Sequence, residues 1–183
     1  MGLDSVELLI RFEVEFGLEI ADSEAEQIAT PLDAANLVCS RISLVPATLC
    51  LTRQAFFRLR KSMCAQGVAR RSVSPRVRFA DVYDSVNRRR DWRSLGDLVA
   101  GDRWPSLTRP WRRPLELDYP RGCETVWGLA RHLATWDQRV PQGVNASWWR
   151  EAVLLRVRQI TSEELGVKTF NDDDHYVRDL HVD

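Results

Sequence analysis

Val6, Leu9, Ile10, Phe12 and Phe16 recur near helical spacing towards one end of the chain, and Val153, Leu154, Val157, Ile160 and Leu165 do so towards the other. A helix with an apolar stripe has to bury that stripe against another element. Such periodicity at both ends predicts an all-α protein of packed helices.

Local punctuation sets the expected boundaries. Asp4 and Glu7 read as a capping pair that starts the first helix at about Ser5, and Gly17 closes it. A short helix capped by Asp22 or Ser23 follows, and Thr30-Pro31 opens another that runs to about Arg41, with the proline at its first position. At the other end Asn145 or Ser147 caps a helix from Trp148 to Leu165, ended by Gly166. The middle holds three more helical stretches. They lie at about 52–66 (Phe56, Phe57, Leu59, Met63), 88–100 (Trp92, Leu95, Leu98, Val99) and 123–136 (Val126, Leu129, Leu133, Trp136). Pro105, Pro110, Pro114 and Pro120 break the region between the last two into loop.

The formal charge of zero conceals a division. Residues 1–44 and 145–183 together hold seventeen acidic and seven basic residues, a net −10, whereas residues 45–144 hold nine and nineteen, a net +10. Opposite signs in one chain predict two modules, either touching each other or independently solvated. An apolar fraction of 44% over 183 residues suffices for packed cores. The helical stretches are amphipathic and too short in apolar content to span a membrane, and no basic start leads into an apolar run. Cys39, Cys50, Cys64 and Cys123 form no C-x-x-C pair and read as reduced thiols, which together predicts a cytoplasmic protein.

Residues 3–38 (LDSVELLIRFEVEFGLEIADSEAEQIATPLDAANLV) resemble the back half of an acyl carrier protein, through "V-E-L", "E-F-G-x-E-I-x-D" and "I-x-T". Residues 149–183 (WREAVLLRVRQITSEELGVKTFNDDDHYVRDLHVD) resemble the front half, with a long first helix, "E-E-L-G-V", and the loop that follows it in carriers. The halves stand in reversed order, which implies a circular permutation. The expected fold is therefore an acyl-carrier-like helical bundle built from 1–44 with 145–183, with Met1 near Asp183, plus a basic helical insertion at 45–144. A monomer and a swapped dimer of the same fold are both compatible with this arrangement. Within the insertion, "G-V-A-R-R-S-V-S-P-R-V-R-F-A-D-V" at 67–82 and "E-T-V-W-G-L-A-R-H-L" at 124–133 resemble a carrier's loop and last helix, so the insertion reads as a second, degenerate carrier-like bundle.

The resemblance implies a protein that holds acyl groups as thioesters on 4'-phosphopantetheine in fatty-acid, polyketide or related metabolism. It implies Ser5 as the attachment residue, because Asp4-Ser5-Val6 spells the family's D-S-[L/V] signature. It also implies Asp4, Glu7 and Glu13 as an acidic face for a phosphopantetheinyl transferase and acyl-processing enzymes. The register departs from the family. Gly2 stands fourteen residues before Phe16, the spacing carriers keep between the modified serine and the closing phenylalanine, whereas Ser5 stands eleven before it. Two readings remain open: attachment at Ser5, or a carrier-like binding module without a prosthetic arm.

Other constellations are weaker. "D-D-D-H" at 172–175, with His181 and Asp183 nearby, lacks the spacing of a calcium loop or a zinc site and reads as a solvated loop. His132 reads as a surface or boundary residue. The runs "R-R-R-D-W-R" at 88–93 and "R-P-W-R-R-P" at 109–114 place Trp92 and Trp111 among cations, a combination that can bind nucleic acid, although the neutral chain argues against it. No nucleophile–base arrangement or phosphate-binding glycine loop is present, so an autonomous enzyme is not expected.

Overall fold

The computed structural model describes residues 3–47, 49–99, 103–109 and 117–182. Among them the regular structure is helical: α1 (Leu3–Phe16), α2 (Asp22–Ala25), α3 (Pro31–Arg41), α4 (Leu51–Ala65), α5 (Arg88–Val99), α6 (Val126–Thr135), α7 (Arg150–Leu165) and α8 (Tyr176–Leu180). Two isolated bridges, Arg78 with Thr125 and Thr108 with Asp118, are the β-type pairings among these residues. The chain divides into two compact units, one from the 1–50 and 135–183 stretches and the other from 51–134. No helix among the described residues is long and apolar enough to cross a membrane. The expected approach of Met1 to Asp183, and the readings placed on Gly2, Pro110, Trp111 and Pro114, lie outside the described residues.

In the first unit α1 and α3 pack on α7. Leu8, Phe12 and Phe16 of α1 meet Ala34, Ala35 and Val38 of α3 and Val153, Val157 and Ile160 of α7 in one buried cluster, which Phe170, Tyr176, Leu180 and Val182 complete. The expected apolar face of α1 is corrected here. Val6 and Ile10 are 40% and 49% exposed, and the buried row is Leu8–Phe12–Phe16. Both rows have a spacing of four, and the two-residue offset between them turns the helix by about 200°, so burying one row exposes the other.

Two helix starts also differ from expectation. Asp4 and Ser5 already have helical backbone, so Asp4 sits within the first turn of α1 and is not its cap. The cap of α2 is Ala21, whose N–H is held by the Glu24 carboxylate at 3.2 Å. α7 starts after Trp149, two residues beyond the expected start, and ends as expected at left-handed Gly166 (φ 65°). Gly17 likewise takes a left-handed φ of 65°, and a Cβ there would approach Val144 Cγ1 to 2.8 Å.

α3 follows its local code. The Thr30 hydroxyl accepts from Asp33 N at 3.1 Å, while the Asp33 carboxylate accepts from Thr30 N at 2.9 Å, a reciprocal box ahead of Pro31. Thr30→Ala is expected to lower the stability of this unit by about 1 kcal/mol in chemical denaturation, the usual cost of a lost cap.

α7 is the central helix, and its inward-facing set is broader than one apolar face. Arg156, Arg158, Gln159 and Thr161 are buried with Val153, Val157 and Ile160. Each buried guanidinium has partners: Arg156 pairs with Glu15 at 2.8 Å and with Gln159 at 2.8 Å, while Arg158 pairs with Asp172, donates to Phe170 O at 3.1 Å and lies over the Phe170 ring. Burial of charge is tolerated only with such pairing.

In the second unit α4 buries Leu51, Ala55, Phe56, Leu59 and Met63, α5 buries Trp92 and Leu95, and α6 buries Val126, Leu129 and Ala130. Phe57 and Leu98, expected in these stripes, are 53% and 55% exposed. An aromatic cluster fills the space beside α5: the Phe79 ring stands edge-on to Trp92 at 5.1 Å, and Tyr119 lies 5.1 Å from Trp92. His132 is a core residue, not a surface one, with Nε2 3.1 Å from Arg103 O.

Candidate functional site

The start of α1 opens onto a cleft of about 310 Å³ within the first unit. α1 contributes Ser5, Leu8, Leu9 and Phe12, the turn after α2 contributes Ile28 and Ala29, and the far side is made by Tyr176, Val177 and Val182. The lining is mainly apolar, with Ser5, Glu26 and His175 as polar members. Ser5 is half-buried and stands in the first turn of α1.

The far wall is fastened by backbone bonds. Tyr176 N donates to Ala29 O at 2.9 Å, and Val182 N donates to Tyr176 O at 3.0 Å, with His181 in a left-handed conformation (φ 59°) between α8 and Val182. The Tyr176 phenol lies 3.3 Å from the Thr161 hydroxyl. Burial pushes its pKa well above the ordinary tyrosine value, despite the opposing hydrogen bond from Thr161, so it is a neutral wall. Residues near both ends of the chain, Ser5 and Val182, thus line one cavity.

The three acidic residues expected to face partners occupy different settings. Asp4 and Glu7 are exposed on α1. Glu13 is half-buried, and its carboxylate accepts from Ile20 N at 2.7 Å, which ties the turn after α1 back to the helix. Beside Asp4 and Glu7 runs an exposed apolar row, Val6, Ile10 and Val14, the last of them 63% exposed. The same spacing of four that marks a buried stripe marks this one, so the sequence held the signal without saying which row would face solvent.

The acidic run at 172–174 is not a solvated loop. Asp174 is 4% exposed and accepts from Asn171 N at 2.8 Å, while Asp172 pairs with Arg158. Asp173 is exposed, and His175 caps α8, with Nδ1 accepting from Arg178 N at 3.5 Å. Asp174 closes the turn locally, as short carboxylates do, and Asp172 serves as counter-charge to a buried arginine, so two of the three aspartates are structural. No group of three or more metal-binding side chains clusters among the described residues. Trp92, placed by the sequence among cations, is buried and donates to Pro105 O at 2.7 Å, so it offers no stacking surface.

No family model matches this chain, and no solved structure matches it. Among curated proteins, an acyl carrier protein of Thermosynechococcus vestitus is 44% identical over 42 residues, which is 23% of this chain and 52% of that protein. The chain spans about half the length of this relative. Over that stretch the sequence is carrier-like.

Proposed function

We propose that the 1–50 and 135–183 unit is an acyl-carrier-like module that holds an acyl group on 4'-phosphopantetheine attached to Ser5. The observation that carries this reading is that Ser5, in the first turn of α1, lines an apolar cleft. A hydroxyl in the first turn of a helix suits a phosphodiester, because the free N–H groups and the positive end of the helix dipole favour an anion there. Leu8, Phe12, Ile28 and Val182 then offer an apolar lining for an attached chain. The prosthetic group supplies a thiol for thioester formation; the residues of this chain supply attachment, shelter and docking. Asp4 and Glu7, flanked by exposed Val6 and Ile10, are the docking face for the transferase and for acyl-processing enzymes. The carrier-like halves stand in permuted order, and their joint core of α1, α3 and α7 supports that reading.

One observation favours the unmodified binding module instead: Ser5 lies inside α1, after Leu3 and Asp4, and not ahead of the helix. Intact mass after incubation with coenzyme A and a broad-specificity phosphopantetheinyl transferase separates the two. The expected result is a gain of one phosphopantetheine by the wild type and none by Ser5→Ala. An unchanged wild-type mass would leave a carrier-like module that works through α1 alone.

A further inference from the structure

The 51–134 unit has its own cleft, of about 690 Å³, beside α5. Arg89 and Arg93, one turn apart on α5, line it together with Arg109 from the loop. All three are exposed, and none has a hydrogen-bond or ion-pair partner among the described residues. Their neighbour Arg88 shows the contrast: it donates to Leu117 O, lies 3.7 Å from Asp118 and sits over the Tyr119 ring at 5.3 Å. Arg88 therefore serves the fold, whereas Arg89, Arg93 and Arg109 hold no hydrogen bond or ion pair among the described residues. Among the described residues, the one carboxylate in the lining is Asp97.

The apolar wall is rigidly built. Trp104 lies against α5 where Gly96 leaves room; a Cβ at Gly96 would come within 2.8 Å of the Trp104 ring. Trp92 packs on the same ring at 4.7 Å, and its own N–H holds Pro105 O. The Trp104 Nε1 is shielded from water without a partner among the described residues. Preorganised walls of this kind reduce the ordering cost of binding.

We propose that this cleft binds a small organic polyphosphate, with phosphates on Arg89, Arg93 and Arg109 and an apolar or aromatic part against Trp104 and Leu117. Three guanidiniums around one cavity match phosphate oxygens through forked donors. Like charges four residues apart on a helix repel, and a bound polyanion removes that repulsion. The cavity has the size of a small-molecule site. A single nucleic-acid strand is the weaker fit on the described residues, because Trp92, one of the two indoles set among cations in the sequence, is committed to the core.

Titration calorimetry of the whole chain with ATP and with pyrophosphate at low salt tests this. ATP is expected to bind with sub-millimolar affinity, and more tightly than pyrophosphate. Arg89→Ala combined with Arg93→Ala is expected to weaken ATP binding by about tenfold or more, as the loss of two charge-assisted hydrogen bonds implies. Arg58→Ala combined with Arg71→Ala removes the same charge from exposed positions outside the cleft and is expected to change binding by less than about twofold. Asp97→Asn is expected to tighten it. Because these side chains are exposed, all variants should keep the parent circular dichroism and melting temperature. Three results would each overturn the proposal: no heat from either probe at millimolar concentration, equal weakening in both double variants, or a single-stranded oligonucleotide that binds more tightly than ATP.

Discussion

Phe12→Ala is expected to destabilise the α1–α3–α7 unit by about 3–5 kcal/mol, the range for removing a large buried aromatic. Phe12 is 0% exposed, sits between Leu8 and Phe16 on the inner row of α1, and lines the cleft beside Ser5. Its loss enlarges an existing cavity, so the surrounding side chains have little to collapse onto, which places the cost towards the upper part of that range. Against a total of about 5–15 kcal/mol for a typical domain, this is a large fraction. Urea unfolding should show a lower midpoint with an unchanged slope. Val14→Ala on the exposed row is the companion measurement, expected to fall within about 0.5 kcal/mol of the parent. A Val14→Ala loss as large as that of Phe12→Ala would reverse the assignment of the two rows.

Glu15→Ala is expected to cost about 3–5 kcal/mol, because it leaves a buried guanidinium without its counter-charge. The Glu15 and Arg156 side chains are 11% and 9% exposed, and the carboxylate also accepts from Gly143 N at 2.6 Å. Burial alone raises the Glu15 pKa, but hydrogen bonds from Arg156 and Gly143 N and the charges of Arg156 and Arg11 outweigh it and hold it below the ordinary value of 4.5. A lowered carboxylate pKa contributes stability that is fully present above the unfolded value and disappears as pH falls through the folded one. The unfolding midpoint of the wild type should therefore drop as pH is taken from 6 to below 4, and Glu15→Gln should flatten that drop. A Glu15→Gln profile that parallels the wild type would assign the acid sensitivity to other carboxylates.

Much of the helical outline was legible in the sequence where the signal is local. Thr30, Pro31 and Asp33 cap α3 with groups no more than three residues apart, and Gly17 and Gly166 end α1 and α7 because a left-handed residue is needed there. The boundaries that moved were those without such chemistry: Trp149 ahead of α7 has no side-chain cap, and Ala21 ahead of α2 relies on Glu24. α8 carries no periodic signal, because five residues are too few to show a helical period. The candidate attachment residue was legible as Asp4-Ser5-Val6, yet its cleft was not, since Ser5 and Val182 are far apart along the chain.

The spacing of apolar residues dictates that α1 has stripes, but two of them, Val6–Ile10–Val14 and Leu8–Phe12–Phe16, satisfy the same period. Only packing on α3 and α7 selects the one that is buried, because burial free energy depends on which surface lies opposite. In the same way the sequence carries the charge of Arg156 and Arg158 but not their partners. Glu15 lies 141 residues from Arg156, and the pairing that lets both enter the interior exists only once the two ends of the chain share a core.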